Sequence, residues 1–331
     1  MTTSDNDLYA TLWRHEQWWS KHEPFLFERG YQLRPRYRRD WVPSWTLPGS
    51  GFDPLAENYA DFEDSVASLR RNVLDATRIS DNRKVVLRKV MCAGPERFIL
   101  DYLHQPHLRA DTNNRTVPVL DIIPLPDDDT TLLIGLDFLH THNIAHQDAC
   151  AGNMMMDATD VVPGGFHFCS PRTVNGDLRS DYEWRDRCSV PAVQYYFIDF
   201  GLSTYHPELE GQQLARSAGI VGQDDTVPEL SMTVEYNPFK LDIYQSGNCF
   251  LNLSKRYPKM TPCFGSLLHN MTDENPHERP WASEVIKRFE EACKSISDTE
   301  LGESLDFVPQ DILDEILPFI GREITSEPEL N

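Results

Sequence analysis

No run in these 331 residues approaches the roughly eighteen apolar residues that a membrane helix needs, and the first twenty are polar and Trp-rich without an apolar signal region. The expectation is a soluble chain with no visible address, cytoplasmic or nuclear. Bases are scarce. Lys and Arg number 31 against 52 Asp and Glu, a formal charge of -21, which argues against nucleic-acid binding because phosphate neutralisation needs clustered cations. The seven cysteines (Cys92, Cys150, Cys169, Cys188, Cys249, Cys263, Cys293) are odd in number and contain no C-x-x-C, which fits reduced thiols and neither a disulfide framework nor a zinc site. Glycine is missing between Gly51 and Gly94. That absence excludes, from this stretch, a glycine-rich loop whose backbone N–H groups approach phosphates.

With 40% hydrophobic residues the chain can bury a sizeable core, as one large two-lobed domain or two small ones. Five of the seven tryptophans (Trp13, Trp18, Trp19, Trp41, Trp45) fall in the first 71 residues, a density of large rings that suits packing against a domain. Apolar spacing from Leu8 to Trp19 is helix-like. The basic cluster Arg34, Arg36, Arg38 and Arg39 reads either as solvated or intramolecular cations or as a patch for an anionic partner. From Val73 the pattern becomes a strand, a turn at 80–83 and a return strand from Lys84 to Val90. Pro95-Glu96 then opens a helix with Ile99, Leu100 and Leu103 on one face. Two apolar runs, Val117 to Ile123 and Thr131 to Ile134, read as a further strand pair. Residues 158–192 are rich in Pro, Gly, Ser, Asp and Arg without periodicity and should form an irregular surface insertion. Leu241 to Leu253 and Ala282 to Ile296 are the clearest later helices.

The chemistry is concentrated in His146-Gln147-Asp148-Ala149-Cys150-Ala151-Gly152-Asn153 and in Asp199-Phe200-Gly201, which ends the apolar run Tyr195-Tyr196-Phe197-Ile198. An H-x-D with Asn five residues after the Asp, then a strand ending in D-F-G, supplies one base and two Mg²⁺ ligands around a triphosphate. Further landmarks follow in order: Val227-Pro228-Glu229, Asp242-Ile243-Tyr244-Gln245-Ser246-Gly247 and Arg279-Pro280. Together they resemble the protein kinase superfamily, and most closely fungal protein-kinase-like proteins that begin with a Trp-rich extension.

The resemblance, from about residue 72 to 296, implies an α+β, two-lobed protein-kinase-like fold with a small β-rich lobe (72–134) and a larger helical lobe (135–300). A Trp-rich extension (1–71) precedes them and an acidic tail (301–331) follows. It implies Mg-ATP-dependent phosphoryl transfer to protein Ser or Thr, with ATP and a protein substrate as partners. Asp148 would accept the hydroxyl proton, Asn153 and Asp199 would hold Mg²⁺, and Arg88 would meet the phosphates and pair with Glu96. Glu229 and Arg279 would form a buried ion pair.

The chain also departs from that pattern. Arg88 stands where the family has Lys, and its planar fork cannot occupy an ammonium's position; Lys89 could serve only after a one-residue slip that turns it to the other strand face. Gln147 and Cys150 stand where Ser/Thr kinases have Arg and Lys. Ile134 runs at once into Gly135 to His142, about 12 Å of helix at roughly 1.5 Å per residue, so part of the hinge, helix D and helix E region is missing. A catalytically inactive pseudokinase scaffold is therefore the alternative. His140, His142 and His146 also admit reading as a metal site, and Cys150 as a reactive thiol or a small buried residue.

Overall fold

The computed structural model describes residues 5–53, 58–90, 95–111, 114, 120, 123, 137–174, 183–186, 189–191, 193–207 and 211–297. The chain divides into two units, one made of residues up to 89 together with 157–193, the other of 90–156 and the chain from 194 onward. It is a mixed α+β protein of small antiparallel sheets and helices. The expected strands between 117 and 134 lie outside the described residues, save Leu120 and Ile123, as does the acidic tail. No described helix is long and apolar enough to cross a membrane.

The first unit begins with α1 (Asp5–Ala10) and α2 (Arg14–Glu28). The helical spacing seen from Leu8 to Trp19 is thus split at 11–13, where Glu16 Oε2 accepts the Trp13 backbone N–H at 2.9 Å and starts α2 afresh. β1 (Tyr31–Leu33), β2 (Val73–Arg78) and β3 (Arg83–Arg88) form one antiparallel sheet, with Tyr31 opposite Arg78 and Val73 opposite Arg88. The β2–β3 hairpin is the one expected. Asn82 takes φ +58° in its turn, a backbone region that Asn tolerates better than most residues.

Beside this sheet lies a buried ion pair. Glu16 is 0% and Arg36 1% exposed. A guanidinium has five N–H donors, and each meets an oxygen here: both Glu16 carboxylate oxygens, and the carbonyls of Tyr9, Thr11 and Asp64, all at 2.9–3.1 Å. Burial alone would raise the Glu16 carboxyl, but the hydrogen bonds and charge of Arg36 more than offset it and hold the group below its ordinary value. Arg34 is also buried, against Glu63, Asp75 and Tyr37. The basic cluster is thus intramolecular at Arg34 and Arg36, while Arg39 is exposed.

Arg34 also reaches His167 Nε2 at 3.0 Å and Cys169 Sγ at 3.2 Å. Among its described residues the 157–193 segment has irregular backbone, as expected, apart from single-turn geometry and an isolated bridge between His167 and Ser170. It is not confined to the surface, because Val161, Val162, His167 and Thr173 are buried.

The second unit contains α3 (Pro95–Leu103), α4 (Pro106–Arg109) and α5 (Asp137–Thr141). Three two-stranded pairs follow: β4 (Ile144–Ala145) with β7 (Thr204–Tyr205), β5 (Met154–Met156) with β6 (Tyr195–Phe197), and β8 (Ser217–Gly219) with β9 (Ser231–Tyr236). Then come α6 (Pro238–Arg256), α7 (Thr261–Met271) and α8 (Ala282–Lys294). Ile99, Leu100 and Leu103 of α3 join Leu139, Ile144, Ala149 and Phe200 in one core. Ile243, Leu267, Leu268 and Met271 make another between α6 and α7. A Cβ at Gly247 would lie 2.8 Å from that of Met271, so α6 and α7 need glycine there to approach.

Candidate functional site

β4 and β5 bracket the loop that carries Asp148 and Asn153, and α6 holds its backbone. Asp242, 0% exposed, accepts the His146 N–H at 2.7 Å and the Gln147 N–H at 2.6 Å, and meets His140 Nε2 at 2.8 Å. One turn along α6, Gln245 Oε1 accepts the Ala149 N–H at 2.8 Å and its Nε2 donates to the Gln147 carbonyl at 3.3 Å. Residues 242 and 245 share a helix face, so a single rigid element fixes the peptides on both sides of Asp148.

Asn153 closes the loop. Its Nδ2 donates to the Asp148 carbonyl at 2.9 Å and to Asp148 Oδ2 at 2.8 Å. With both amide hydrogens so used, the amide oxygen is left as its acceptor. Asp199 arrives through the β5–β6 ladder, in which Met154 faces Phe197 and the Ile198 N–H donates to the Asn153 carbonyl at 2.8 Å. Asp199 is half-buried at φ +67°, and its Oδ1 accepts the Gly201 N–H at 3.3 Å. Phe200, fully buried, has the His146 ring edge-on at 4.7 Å. Asp148, Asn153 and Asp199 are thus brought together by one loop and the β5–β6 strand pair. Glu96 is buried on α3 of the same unit, whereas Arg88 ends β3 in the first unit, half-buried.

The expected Glu229–Arg279 pair is present: Nη1 meets Oε1 and Nη2 donates to Oε2 at 2.8 Å. Two residues of this region are given no individual role in the sequence reading. Gln245 was legible as the i+3 neighbour of Asp242; Gln223, which donates to both carboxylate oxygens of Asp148, had no local signal.

No family model matches the sequence. Over 187 residues the chain is 23% identical to a protein of Acanthamoeba polyphaga mimivirus named "Putative serine/threonine-protein kinase L673". The match takes in 50% of this chain and 33% of that protein, so the chain spans about a third of its relative's length. The relationship is kinase-like.

Within this site the residues that depart from the expected pattern have structural roles. Gln147, at φ +62°, donates through Nε2 to the Leu202 carbonyl at 2.9 Å and to Thr204 Oγ1 at 3.1 Å, tying the loop to β7. Lys89, one residue past β3, donates its backbone N–H to the Asn72 carbonyl at 2.8 Å and sets its ammonium 3.8 Å from the Trp18 ring centre, an attraction of cation to ring face. Cys150 is buried and burial pushes its thiol up to about 12, which is the inert small residue rather than the reactive thiol. Burial also lowers the His146 imidazole, against the opposing pull of Asp242 and the Ile198 carbonyl. Among the described residues no group of three or more His, Cys, Asp or Glu is placed to hold a metal. The three-histidine reading fails because His140 serves Asp242 and His146 the Ile198 carbonyl at 2.9 Å.

Proposed function

We propose that this chain is a kinase-like phosphotransferase of two-lobed build that moves the terminal phosphoryl group of Mg-ATP to a Ser or Thr hydroxyl of a protein, related to the Trp-rich fungal kinase-like proteins that its landmarks resemble. The observation that carries the reading is the loop itself: Asp148 is clamped through its neighbouring peptides by Asp242 and Gln245, with Asn153 and Asp199 beside it. Positioning and electrostatics are what phosphoryl transfer asks of a protein.

In this reading Asp148 orients the substrate hydroxyl and takes its proton. The Asn153 amide oxygen and the Asp199 carboxylate suit Mg²⁺, a hard cation that takes oxygen ligands and usually keeps waters and substrate phosphates in its shell. Bound there, the metal would neutralise developing charge on the phosphoryl oxygens. Arg88 and Glu96 are the proposed phosphate-side pair. The absent glycine-rich loop, the Arg in place of Lys and the inert Cys150 each remove a contact of the kind that is worth on the order of 10² to 10³ in rate, so turnover is slow.

The test is thermal unfolding of the full chain with and without ATP and Mg²⁺, since a ligand bound only by the folded state raises the midpoint. A metal-dependent rise that Asp199→Asn abolishes, with phosphotransfer lost in Asp148→Asn, is the expected result. An unchanged midpoint at millimolar ATP would favour the pseudokinase scaffold.

A further inference from the structure

Arg34 and Arg36 of the basic cluster turn to carboxylates of their own unit, but Arg38 borders a cavity of about 250 Å³ that lies wholly within the first unit. The turn Pro35–Tyr37 precedes it, closed where the Arg38 N–H donates to the Pro35 carbonyl at 3.1 Å. One wall of the cavity is a row across the sheet: Gln32 is opposite Thr77, and Thr77 opposite Lys84, so the three side chains share a face. Asp75, two residues before Thr77, belongs to that face too. His167 of the irregular segment also lines the cavity.

The charges around it are of two kinds. Arg34 is ion-paired with Glu63 at 3.3 Å and with Asp75 at 3.1 Å. Arg38 and Lys84 have no anionic partner among the described residues. In a chain of formal charge -21, where carboxylates are plentiful, two cations on one cavity are thus left for an anion from outside.

His167 points to the same ligand chemistry. It is 6% exposed, and its Nδ1 is buried with no hydrogen-bond partner. Arginine only donates, so the Nε2 that Arg34 meets at 3.0 Å accepts, and the proton of the neutral ring lies on Nδ1. A ring protonated toward Glu63, 3.2 Å from Nε2, carries a proton on Nδ1 as well. Either way a donor lacks an acceptor, which is costly inside a protein.

We propose that this cavity binds the phosphoryl group of a phosphate monoester. Such a group carries about -1.5 to -2 charges at pH 7 and three acceptor oxygens, which matches two cations where a single carboxylate would leave one of them unanswered. The planar fork of Arg38 suits two of those oxygens, and the Lys84 ammonium and the Thr77 hydroxyl stand in reach of the same cavity. Asp75 Oδ1, buried and without a hydrogen bond, suits an N–H or O–H of the ligand beside its phosphate. The volume is below the roughly 300–1,000 Å³ of pockets for drug-sized ligands, so the site takes a phosphorylated side chain or a small metabolite and not a nucleotide. None of Asp148, Asn153, Asp199, Arg88 or Glu96 lines it, and the proposal stands apart from the phosphotransfer reading.

The experiment titrates the full chain with O-phospho-L-serine in a calorimeter, without Mg²⁺ or nucleotide. Saturable binding is expected, absent with L-serine and unchanged in Asp199→Asn. It should weaken about tenfold or more in Arg38→Gln and in Lys84→Gln, each of which removes a bond to a charged group, and survive in Lys84→Arg. Arg38 is half-buried and Lys84 exposed, and neither substitution breaks an ion pair, so the urea midpoint of each variant should match the parent's. No binding at millimolar phosphoserine, binding that the double variant Arg38→Gln/Lys84→Gln retains, or binding lost in Asp199→Asn overturns the proposal. A Gly-phosphoserine-Gly peptide separates the sources. Tighter binding of the peptide than of the free amino acid assigns the site to a phosphorylated protein segment, and binding no tighter assigns it to a small phosphorylated metabolite; both outcomes uphold the phosphate monoester.

Discussion

Arg279 sits in a socket of oxygens, with Glu229 accepting two of its N–H groups and the carbonyls of Asp273 and Lys240 accepting others at 2.7 and 3.0 Å. Tyr244 lies against its planar face, 4.6 Å from the ring centre. Such a socket is specific for a planar fork. Glu229→Ala leaves the guanidinium buried and uncompensated, so it should cost about 3–5 kcal/mol in urea unfolding; Arg279→Lys should recover little of a paired loss, because an ammonium cannot bond both carboxylate oxygens in plane. The pair was legible in the sequence only through the resemblance, since nothing local links two residues 50 positions apart. Glu16 and Arg36 were not legible as partners at all. A charge cluster such as Arg34 to Arg39 looks the same whether solvated or buried, and burial is decided by carbonyls that the sequence does not display.

At the scale of elements, α6 determines where the site can be. Asn237 Oδ1 accepts the N–H groups of Phe239 and Lys240 at 3.0 and 3.2 Å, and Pro238 occupies the first helical position, where a missing N–H is harmless. Asn237→Ala should lower stability by about 1 kcal/mol, while Asn237→Asp, which keeps the accepting oxygen, should lose much less in the same denaturant titration. The elements β2, β3, α3, α6 and α8 were readable from periodicity and punctuation, although β3 buries only Val85 and α8 no residue fully. α7 was obscured by Pro262, Cys263 and Gly265, which blur an apolar stripe. β9 alternates Met232, Val234 and Tyr236 with polar residues, but Met232 and Val234 are 67% and 66% exposed and only Tyr236 joins a core, with Val227 and Leu241; most of the strand is held by pairing with β8. The landmarks of the loop were readable because their spacing is dictated by chemistry. Gln223 was not, since its position depends on how a distant segment returns.

For the whole molecule, the two units respond to acid through different groups. In the second unit burial lowers the imidazoles of His146 and His206 below the ordinary value of 6.5. The unfolded chain therefore binds protons that the folded unit refuses, and stability falls as pH drops below about 6.5. In the first unit Glu16 and Glu63 resist the upward push of burial. Arg36 acts on Glu16, and His167 and Arg34 on Glu63, holding both below 4.5. Their contribution is complete above about pH 4.5 and is lost only below it. Six of the seven tryptophans belong to the first unit, Trp281 being the exception, whereas α6, α7 and α8 lie in the second. Acid titration should thus show far-UV ellipticity failing at a higher pH than tryptophan fluorescence; coincident transitions would sink the idea.

The first unit is also divided by the chain itself, because Arg34 finds its partners His167 and Cys169 more than 130 residues later. A ribosome adding about 5–20 residues per second needs on the order of ten seconds to supply them. During that interval the nascent sheet of β1, β2 and β3 has emerged with Arg34 and Asp75 still short of their final surroundings, and the stretch that carries Asp148 is synthesised before the first unit can close. Each unit is interrupted by the other, so no single cleavage of the backbone releases either one whole.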